Sequence, residues 1–547
     1  MTSFDYFAAV LGLTTVLLAV PALLAVCRRR GAPRGREEVH HGPQAPVPRL
    51  GGLTLAVAFV LVHVFALLLK PEYRASLRLH PWIPLSCLAM FGLGFWDDLK
   101  PLGARRKLAA QVVIALLVCA DGSGIQLFQI PFTGHNVVLG HLGTLVTVLW
   151  LVGFTNLINL IDGVDGLAAG ISLMLMVLLG FVGAETSGIQ MFIIAGMGGA
   201  LLGFLRFNFP PARIYLGDGG AYFLGFQIGL FAIVGSHKGE VLAALVSPLF
   251  VLALPILDTN LAILRRGLCG LPLFRPDRRH LHHHLLNAGL SQRGVVVFFY
   301  ALTLVFLALG MAAYWSRGNW IPALFGIIVL ILLLCASFFR FSRRWFAFWR
   351  MFGNSLNMRR EIEYALCLSK WLSLEGARCG DIDTLWSTLE IVADKLGFSL
   401  VRLTLADGAR VWIRPPRAGE DTGCSETNPP ASPPRYYFRH RLMGGRCGVI
   451  ELEAPQSGRY AEVQRAAMET GGRQRNWARP TITGEGLFET FGELLAEGWI
   501  KSAARFLEPG DAPLRFAIGK EPPSKVSSGR APVSMGVRLA PPERSGL

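Results

Sequence analysis

The sequence predicts an all-α polytopic membrane protein with about eleven transmembrane helices, a small cytoplasmic α/β domain and a disordered tail. Three observations support this fold class. The 547 residues are 52% hydrophobic and only 16% charged. The mean hydropathy is +0.44. The apolar residues come in blocks of about twenty, the length that crosses a bilayer, and not at the spacing of a surface helix.

The apolar blocks define the candidate spans. They cover residues 5–27, 50–69, 79–95, 108–120, 143–160, 167–184, 189–205, 220–236, 242–264, 294–314 and 319–340. No small-residue cleavage site follows the first block, and three arginines stand after it instead of before it. We therefore expect a retained helix and not a signal peptide.

Lysine and arginine in the short loops set the expected orientation, because they favour the cytoplasmic side. Eighteen lie in the loops at 28–49, 96–107, 156–166, 206–217 and 265–293, and five in the alternate loops. This predicts that the N-terminus lies outside and the C-terminus lies in the cytoplasm. The net charge of +16 lies partly in these loops, where it suits anionic lipids and substrates, so nucleic acid is not an expected partner.

The nine cysteines are scattered without paired spacing. We predict free thiols and not a disulfide or metal framework.

Polar residues interrupt the apolar run TNLINLIDGVDGLAAG at 155–170. Asn156, Asn159 and Asp162 recur every three residues and share one helix face, whereas Asp165 would drift off it. An ionised carboxylate in hydrocarbon costs roughly 2.5–3.5 kcal/mol on insertion scales, so these acids should face water, a cation or a partner. The two glycines beside them predict that the helix opens here. The alternative is a loop whose polar residues cap two helix ends.

A second cluster, FWDDLKPLGARRKLAAQ, stands between the third and fourth candidate spans. Asp97 and Asp98 are adjacent, and Lys107 and Gln111 enter the following helix. Adjacent like charges raise each other's proton affinity unless a cation lies between them, which favours a divalent metal or a proton-handling acid. A solvated helix cap is the alternative.

The third cluster is RFNFPPARIYLGDGGAYFLGF at 206–226, which contains Asn208 and Asp218. Backbone amides at a glycine-rich helix start can hold phosphate, and an acid there can hold the accompanying magnesium. An ordinary turn uses the same residues.

The fourth cluster combines His280, His282 and His283 with three arginines. Such a patch concentrates hydrogen-bond donors and positive charge for a diphosphate. A solvated basic loop and a structural zinc site are the alternatives. Together the four clusters supply acids for a hard cation, amides for a nucleobase or sugar and a basic patch for phosphates, as a magnesium-dependent phosphoryl-transfer site requires.

Five segments resemble the polyprenyl-phosphate N-acetylhexosamine-1-phosphate transferases (glycosyltransferase family 4). They are PVPRLGG at 46–52, the Asp-Asp cluster, NLINLIDGVDGLA at 156–168, FNFPPARIYLGD at 207–218 and PDRRHLHH at 276–283. The last segment looks more like the bacterial undecaprenyl-phosphate GlcNAc-1-phosphate transferases than the phospho-MurNAc-pentapeptide transferases, which stay the alternative branch.

The resemblance implies roles for individual residues. Asp97 and Asp98 would serve the acceptor phosphate and the catalytic centre, with Lys107 assisting. Asp218 would be a magnesium ligand, with Asp162 a second candidate. The nucleotide-sugar pocket and diphosphate contacts would involve Asn156, Asn159, Asp162, Asp165, Asn208, His280, His282 and His283.

The implied reaction transfers GlcNAc 1-phosphate, or another N-acetylhexosamine 1-phosphate, from a UDP-sugar to undecaprenyl phosphate. It needs Mg²⁺, with Mn²⁺ as an alternative ion, and releases UMP. Membrane lipids are expected partners, and a homodimer is left open. Two other function classes remain: a transporter, since intramembrane acids also couple ions, and a membrane platform for a regulatory C-terminal module.

The chain after the last span changes character. RFSRRWFAFWRMF has the composition of an interfacial anchor, so residues 341–379 are expected to form interfacial or juxtamembrane helices. At 380–470 a helix-like LWSTLEIVADKLG precedes four strand-like stretches, SLVRLTLA, ARVWIR, RYYFRHRL and GVIELEA, whose order resembles a GAF-like fold. Residues 471–547 are rich in Gly, Pro, Arg and Ser and are expected to be largely disordered apart from a helical patch near 486–507.

Overall fold

The structure is a computed structural model that describes residues 2–30, 47–100, 102–129, 136–183, 188–235, 241–269, 285, 290–338, 347–405, 408–415, 435–442, 448–455 and 484–503. It divides into two compact units. The membrane unit extends to Ser342, and the C-terminal unit takes most of its residues from Arg343 onward.

The described residues of the membrane unit form helices and one small hairpin. Its elements are α1 (Ser3–Arg30), α2 (Gly51–Leu69), α3 (Pro71–Leu79), α4 (Trp82–Leu99), α5 (Ala104–Ala120), β1 (Leu127–Gln129), β2 (Asn136–Val138), α6 (His141–Ile161), α7 (Leu167–Gly183), α8 (Gly188–Asn208), α9 (Gly217–Gly235), α10 (Val241–Val251), α11 (Ala253–Cys269), α12 (Gln292–Trp315) and α13 (Ile321–Phe338).

Every predicted apolar block contains a helix, but the number of spans differs from eleven. Among the described residues six helices are long and apolar enough to cross a membrane, and α3 with α4, bent by 74°, would make a seventh. Helices α7 and α13 are apolar but fall short. The block at 242–264 is divided between α10 and α11, and α5 carries three basic residues in its first turn. The multi-pass helical architecture is therefore supported, and the count of eleven is not.

Glycines allow three helix backbones to touch at the N-terminus of α9. A Cβ atom added at Gly94 of α4 would lie 2.4 Å from the backbone oxygen of Asp218, and one added at Gly52 of α2 would lie 2.3 Å from the nitrogen of Gly220. Small residues permit this close approach, which drives helix association where surrounding lipid offers no hydrophobic advantage. The first turn of α9 is consequently fixed by direct backbone contact.

The interior of the unit is filled by side chains around α9. The ring centroid of the buried Phe223 lies 5.2 Å from that of Phe59 on α2 and 6.3 Å from that of Phe91 on α4. On the α6 side, the Trp150 indole donates a hydrogen bond of 3.0 Å to the carbonyl of Gly229. Helix α9 is thus held along its length.

The hairpin β1–β2 pairs antiparallel with Leu127 opposite Val138. No sequence pattern predicts this hairpin, because each strand has only three residues, too few for a period-two pattern to emerge.

The described part of the C-terminal unit contains a four-stranded antiparallel sheet and three helices. Its elements are α14 (Ala347–Gly376), α15 (Ile382–Leu396), β3 (Leu400–Leu405), β4 (Gly408–Ile413), β5 (Arg435–Arg441), β6 (Val449–Pro455) and α16 (Gly484–Ala503), with strand order β4-β3-β6-β5. The helix at 385–397 and all four strand-like stretches are confirmed. The likeness to a GAF fold stays a prediction.

The limits 380–470 were too narrow for this domain. Leu372 of α14 and Trp499 of α16 are both fully buried in its core, and the Trp499 ring lies 6.3 Å from that of Trp386. Part of the expected juxtamembrane segment and a twenty-residue helix within the expected disordered tail therefore belong to the fold. Residues 504–547 lie outside the described part of the chain.

Six cysteine side chains are described, and all six are free thiols as predicted: Cys27, Cys87, Cys119, Cys335, Cys367 and Cys379.

Candidate active site

Three charged side chains from three helices meet at one point, which we term the charged centre: Asp97, Lys107 and Asp218. Asp97 lies at the end of α4, and its Oδ1 accepts a hydrogen bond of 2.6 Å from the backbone N–H of Leu102. The Lys107 ammonium on α5 contacts Asp97 Oδ2 and lies 3.5 Å from Oδ2 of Asp218, at the start of α9. Three of the predicted site residues, which are far apart in the sequence, therefore lie together.

The three side chains differ in exposure. The side chain of Asp97 is 4% exposed, that of Lys107 20% and that of Asp218 30%. Both carboxylates contact the same Lys107 ammonium, and two acids placed so close together are costly unless a cation compensates their charge. Lys107 supplies part of this compensation, and Asp218 offers its carboxylate to solvent.

Asp98 has a different task from its neighbour. Its Oδ1 accepts a hydrogen bond of 3.0 Å from the N–H of Asp218, and its Oδ2 accepts one of 2.9 Å from the N–H of Gly219. A carboxylate at a helix N-terminus satisfies unpaired N–H groups and stabilises the helix dipole. Asp98 therefore fixes the start of α9, and with it the position of Asp218.

The donor set at the charged centre is compatible with magnesium. Mg²⁺ binds through one or two carboxylates, keeps several waters and completes its shell with substrate phosphates. Asp218, which is 30% exposed, could supply such a carboxylate. Both oxygens of Asp98 are engaged by backbone N–H groups, and those of Asp97 are engaged by Leu102 and Lys107. Within the described residues no group of three or more His, Cys, Asp or Glu side chains is arranged to hold a metal without such help.

The amides of the predicted nucleotide-sugar pocket occupy different positions. Asn156 donates hydrogen bonds to Gln111 Oε1 at 2.7 Å and to the Val152 carbonyl at 2.8 Å, joining α6 to α5. Asn159 is half-buried one turn further on, and its side chain makes no hydrogen bond to any described residue. Asp162 is half-buried at the C-terminal cap of α6. The predicted opening of the helix is confirmed, since α6 ends at Ile161 and α7 begins at Leu167.

Two loops on this side are joined to each other, and we call their contact the loop junction: residues 162–166 and 208–216. Asn208 is 3% exposed. Its Oδ1 accepts from the N–H of Gly166 at 3.1 Å, and its Nδ2 donates to the Ile214 carbonyl at 2.9 Å. Asp165 Oδ2 accepts from the N–H of Ala212 at 3.1 Å. Both predicted pocket residues therefore hold backbone here, and direct contact of either with a nucleotide-sugar stays a prediction.

The PVPRLGG segment anchors the end of the second loop. The N–H of Tyr215 donates to the Pro48 carbonyl, and the N–H groups of Gly51 and Gly52 donate to Tyr215 and Leu216, all at 2.9 Å. In the sequence, only the resemblance to the transferase family singles out this segment. In the structure it ties the residues that precede Asp218 to the start of α2.

Two residues that the sequence analysis did not single out reach the loop junction from α12. The Tyr300 hydroxyl donates to the Gly166 carbonyl at 2.5 Å, and the Arg293 Nε donates to the Pro210 carbonyl at 2.8 Å. A lone tyrosine in an apolar span and an arginine near a helix start carry no distinctive spacing, so the sequence offered no signal for either. His280, His282 and His283 lie outside the described residues.

Comparisons with known proteins agree with this geometry. Residues 81–236 match the family model described as "Glycosyl transferase family 4". This part of the chain contains the charged centre. A Bacillus subtilis protein described as a probable undecaprenyl-phosphate N-acetylglucosaminyl 1-phosphate transferase is 34% identical over 335 residues, which are 60% of this chain and 89% of the relative.

Two further relatives come from the two branches of the family, one from the GlcNAc-1-phosphate branch and one from the phospho-MurNAc-pentapeptide branch. A Mycobacterium tuberculosis decaprenyl-phosphate N-acetylglucosaminephosphotransferase is 31% identical over 342 residues, 57% of this chain and 82% of the relative. A Moorella thermoacetica phospho-N-acetylmuramoyl-pentapeptide-transferase is 34% identical over 319 residues, 55% of this chain and 96% of the relative.

Proposed function

The chain belongs to glycosyl transferase family 4, and from this premise we propose that it transfers N-acetylglucosamine 1-phosphate from UDP-GlcNAc to undecaprenyl phosphate. The reaction takes place at the cytoplasmic face of a bacterial inner membrane and starts a lipid-linked cell-envelope glycan. The observation that supports it most directly is the charged centre, where Asp97, Lys107 and Asp218 meet. The names of the Bacillus and Mycobacterium relatives support the sugar and the polyprenyl acceptor.

The chemistry is one displacement at phosphorus. An oxygen of the acceptor phosphate forms a bond to the phosphorus that carries the sugar, and the bond from that phosphorus to the UMP oxygen breaks. The second pKa of a phosphate monoester is about 6, so the acceptor is largely dianionic at neutral pH. The site therefore needs charge compensation and alignment more than a strong base.

On the acceptor side, Lys107 attracts the dianionic phosphate and Asp97 fixes the position of the lysine ammonium. Since Asp97 is 4% exposed and also bonded to Leu102, its main contribution is to orient Lys107 towards the reacting atoms. Asp98 keeps Asp218 in place through the start of α9.

On the donor side, Asp218 would hold a magnesium ion, whose charge would offset that of the diphosphate. Mn²⁺ would be the substitute, and Asp162 the other candidate ligand. Asn159, whose side chain is unbonded within the described residues, is available to the sugar or the base. The histidine segment would contact the diphosphate.

The direct test is turnover by the full-length protein purified in detergent. It is incubated with undecaprenyl phosphate, Mg²⁺ and, in separate reactions, UDP-GlcNAc, UDP-GalNAc and UDP-MurNAc-pentapeptide, and UMP and the lipid product are followed. We expect turnover with UDP-GlcNAc. Turnover with the pentapeptide donor alone would assign the protein to the other branch. No turnover with any donor, beside an active relative, would refute the proposal.

The same assay separates a direct displacement from a covalent route. Without acceptor, a direct displacement gives no UMP, whereas a phospho-aspartate route gives a burst of about one UMP per enzyme. We expect no burst, because both Asp97 and Asp218 are engaged with Lys107. Transport without UMP formation would instead indicate the transporter alternative, for which family membership gives no support.

A further inference from the structure

We propose that Arg293 and Tyr300 of α12 are positioning residues that set the affinity for the donor by holding the loop junction. This inference rests on the proposed function. We call the pair the α12 latch.

Tyr300 contacts both loops at once. Its hydroxyl donates to the carbonyl of Gly166 at 2.5 Å, and its ring centroid lies 6.5 Å from that of Phe209 in the other loop. Gly170 makes room for this approach, since a Cβ atom there would lie 2.1 Å from the Tyr300 oxygen. The first turn of α7 is therefore shaped to receive a tyrosine at this position.

Arg293 secures the second loop at a separate point. Its Nε donates to the carbonyl of Pro210 at 2.8 Å. That loop carries Ala212, which binds Asp165, and Ile214, which binds Asn208. The latch thus acts on a junction that already has its own hydrogen bonds, and it links that junction to α12.

The latch lies on the donor side of the proposed site. The loops it holds contain Asp162 and Asp165 and lead into Asp218. The acceptor side is built from α4 and α5, where Asp97 and Lys107 lie, and these helices make no described hydrogen bond to Arg293 or Tyr300. Arg293 also follows the histidine segment closely in sequence.

The fold provides a matched control for Tyr300. Tyr314, on the same helix, donates its hydroxyl to the Val182 carbonyl at 3.3 Å, near the far end of α7. Tyr300→Phe and Tyr314→Phe therefore each remove one hydroxyl-to-carbonyl bond between α12 and α7 or its preceding loop. They differ in which end of the helix they affect.

The experiment compares full-length wild type, Tyr300→Phe and Tyr314→Phe for kcat, for KM of each substrate and for thermal stability. Removing one hydrogen bond should change affinity by roughly three- to tenfold. We expect Tyr300→Phe to raise KM for UDP-GlcNAc by that factor and leave KM for undecaprenyl phosphate unchanged. Tyr314→Phe should leave both constants unchanged while lowering the melting temperature to a similar extent.

Variants of Arg293 provide an independent test of the α12 latch. Arg293→Gln should raise the donor KM, and Arg293→Lys should restore part of the loss, because a lysine ammonium can still donate to a carbonyl. Equal kinetics for Tyr300→Phe and Tyr314→Phe, or equal rises in both KM values, would overturn the latch. Absence of turnover in wild type would instead refute the proposed function, so the two failures are distinguishable.

Discussion

The charged centre and the loop junction are built from the same kinds of residue but have opposite characters. At the charged centre, carboxylates face a lysine and each other, and Asp218 remains 30% exposed. At the loop junction, Asn208 is 3% exposed and both ends of its amide bind backbone. Polar side chains with spare bonding capacity are available to a ligand, whereas saturated ones hold the chain in place.

The same contrast separates Asp97 from Asp98. They are adjacent in sequence, yet Asp97 faces Lys107 while Asp98 uses both oxygens to hold the N-terminus of α9. Composition alone assigns the two acids equal roles, and the contacts divide them into a member of the charged centre and a support for it.

The largest effect should come from the exposed acid of the charged centre. Asp218→Asn removes the charge but keeps the shape, and we expect UMP release to fall by roughly 10²–10³-fold with little change in melting temperature. Asp383→Asn, at a side chain of α15 that is 80% exposed, is the matched control. A near-normal rate in Asp218→Asn would remove the metal assignment and weaken the contrast with the loop junction.

The next effect tests the backbone contact beneath the charged centre. Gly94→Ala places a Cβ atom 2.4 Å from the Asp218 carbonyl, and overpacking of this kind costs about 1–3 kcal/mol. We expect a lower melting temperature and reduced turnover. Gly92→Ala, on the same helix with nothing within 4 Å of the new atom, should leave both unchanged. Equal behaviour of the two variants would contradict the close packing of α4 and α9.

Asn208→Ala tests whether Asn208 holds the backbone of the loop junction or contacts the substrate. It leaves two buried backbone groups without partners, at a cost of about 1–3 kcal/mol, so the melting temperature should fall. Donor KM should rise no more than in Tyr300→Phe. A large rise in KM with unchanged melting temperature would instead support the direct nucleotide-sugar contact that the family resemblance implies.

The smallest effect is expected from the C-terminal unit. Deletion of residues 341–547 leaves the compact membrane unit, and its turnover should stay within about twofold of wild type because domains of this kind fold separately. Turnover in detergent measures this directly. Complete loss of activity in a stable truncated protein would show that the C-terminal unit contributes to the reaction and support the regulatory platform as its main role.

The sequence predicted the helices well, because blocks of apolar residues near twenty have few alternatives to crossing a bilayer. It also predicted that Asp97, Asp98 and Asp218 would meet, since polar clusters at alternate helix ends lie on one side of the membrane. Eleven spans are not confirmed among the described residues, because breaks such as the one between α10 and α11 fall within a continuous apolar block.

Other features had no sequence signal. The hydrogen bonds of the Asn208 amide go to the carbonyl of Ile214 and the N–H of Gly166. The identity of a side chain does not reveal such backbone partners. Tyr300 resembles any aromatic residue of a membrane helix. The C-terminal boundary was missed because α16 is separated from β6 by a long polar segment, so its packing with Trp386 depends on tertiary structure.

The glycine contacts of Gly52 and Gly94 with the first turn of α9 have a mechanical consequence. Where two main chains meet without intervening methylene groups, their spacing is set by atomic radii and not by side-chain rotamers. Changes in bilayer thickness or in the lipid-facing residues should therefore tilt α2, α4 and α9 together as a rigid block. The reacting groups would then keep their mutual distances while their depth relative to the surface varies.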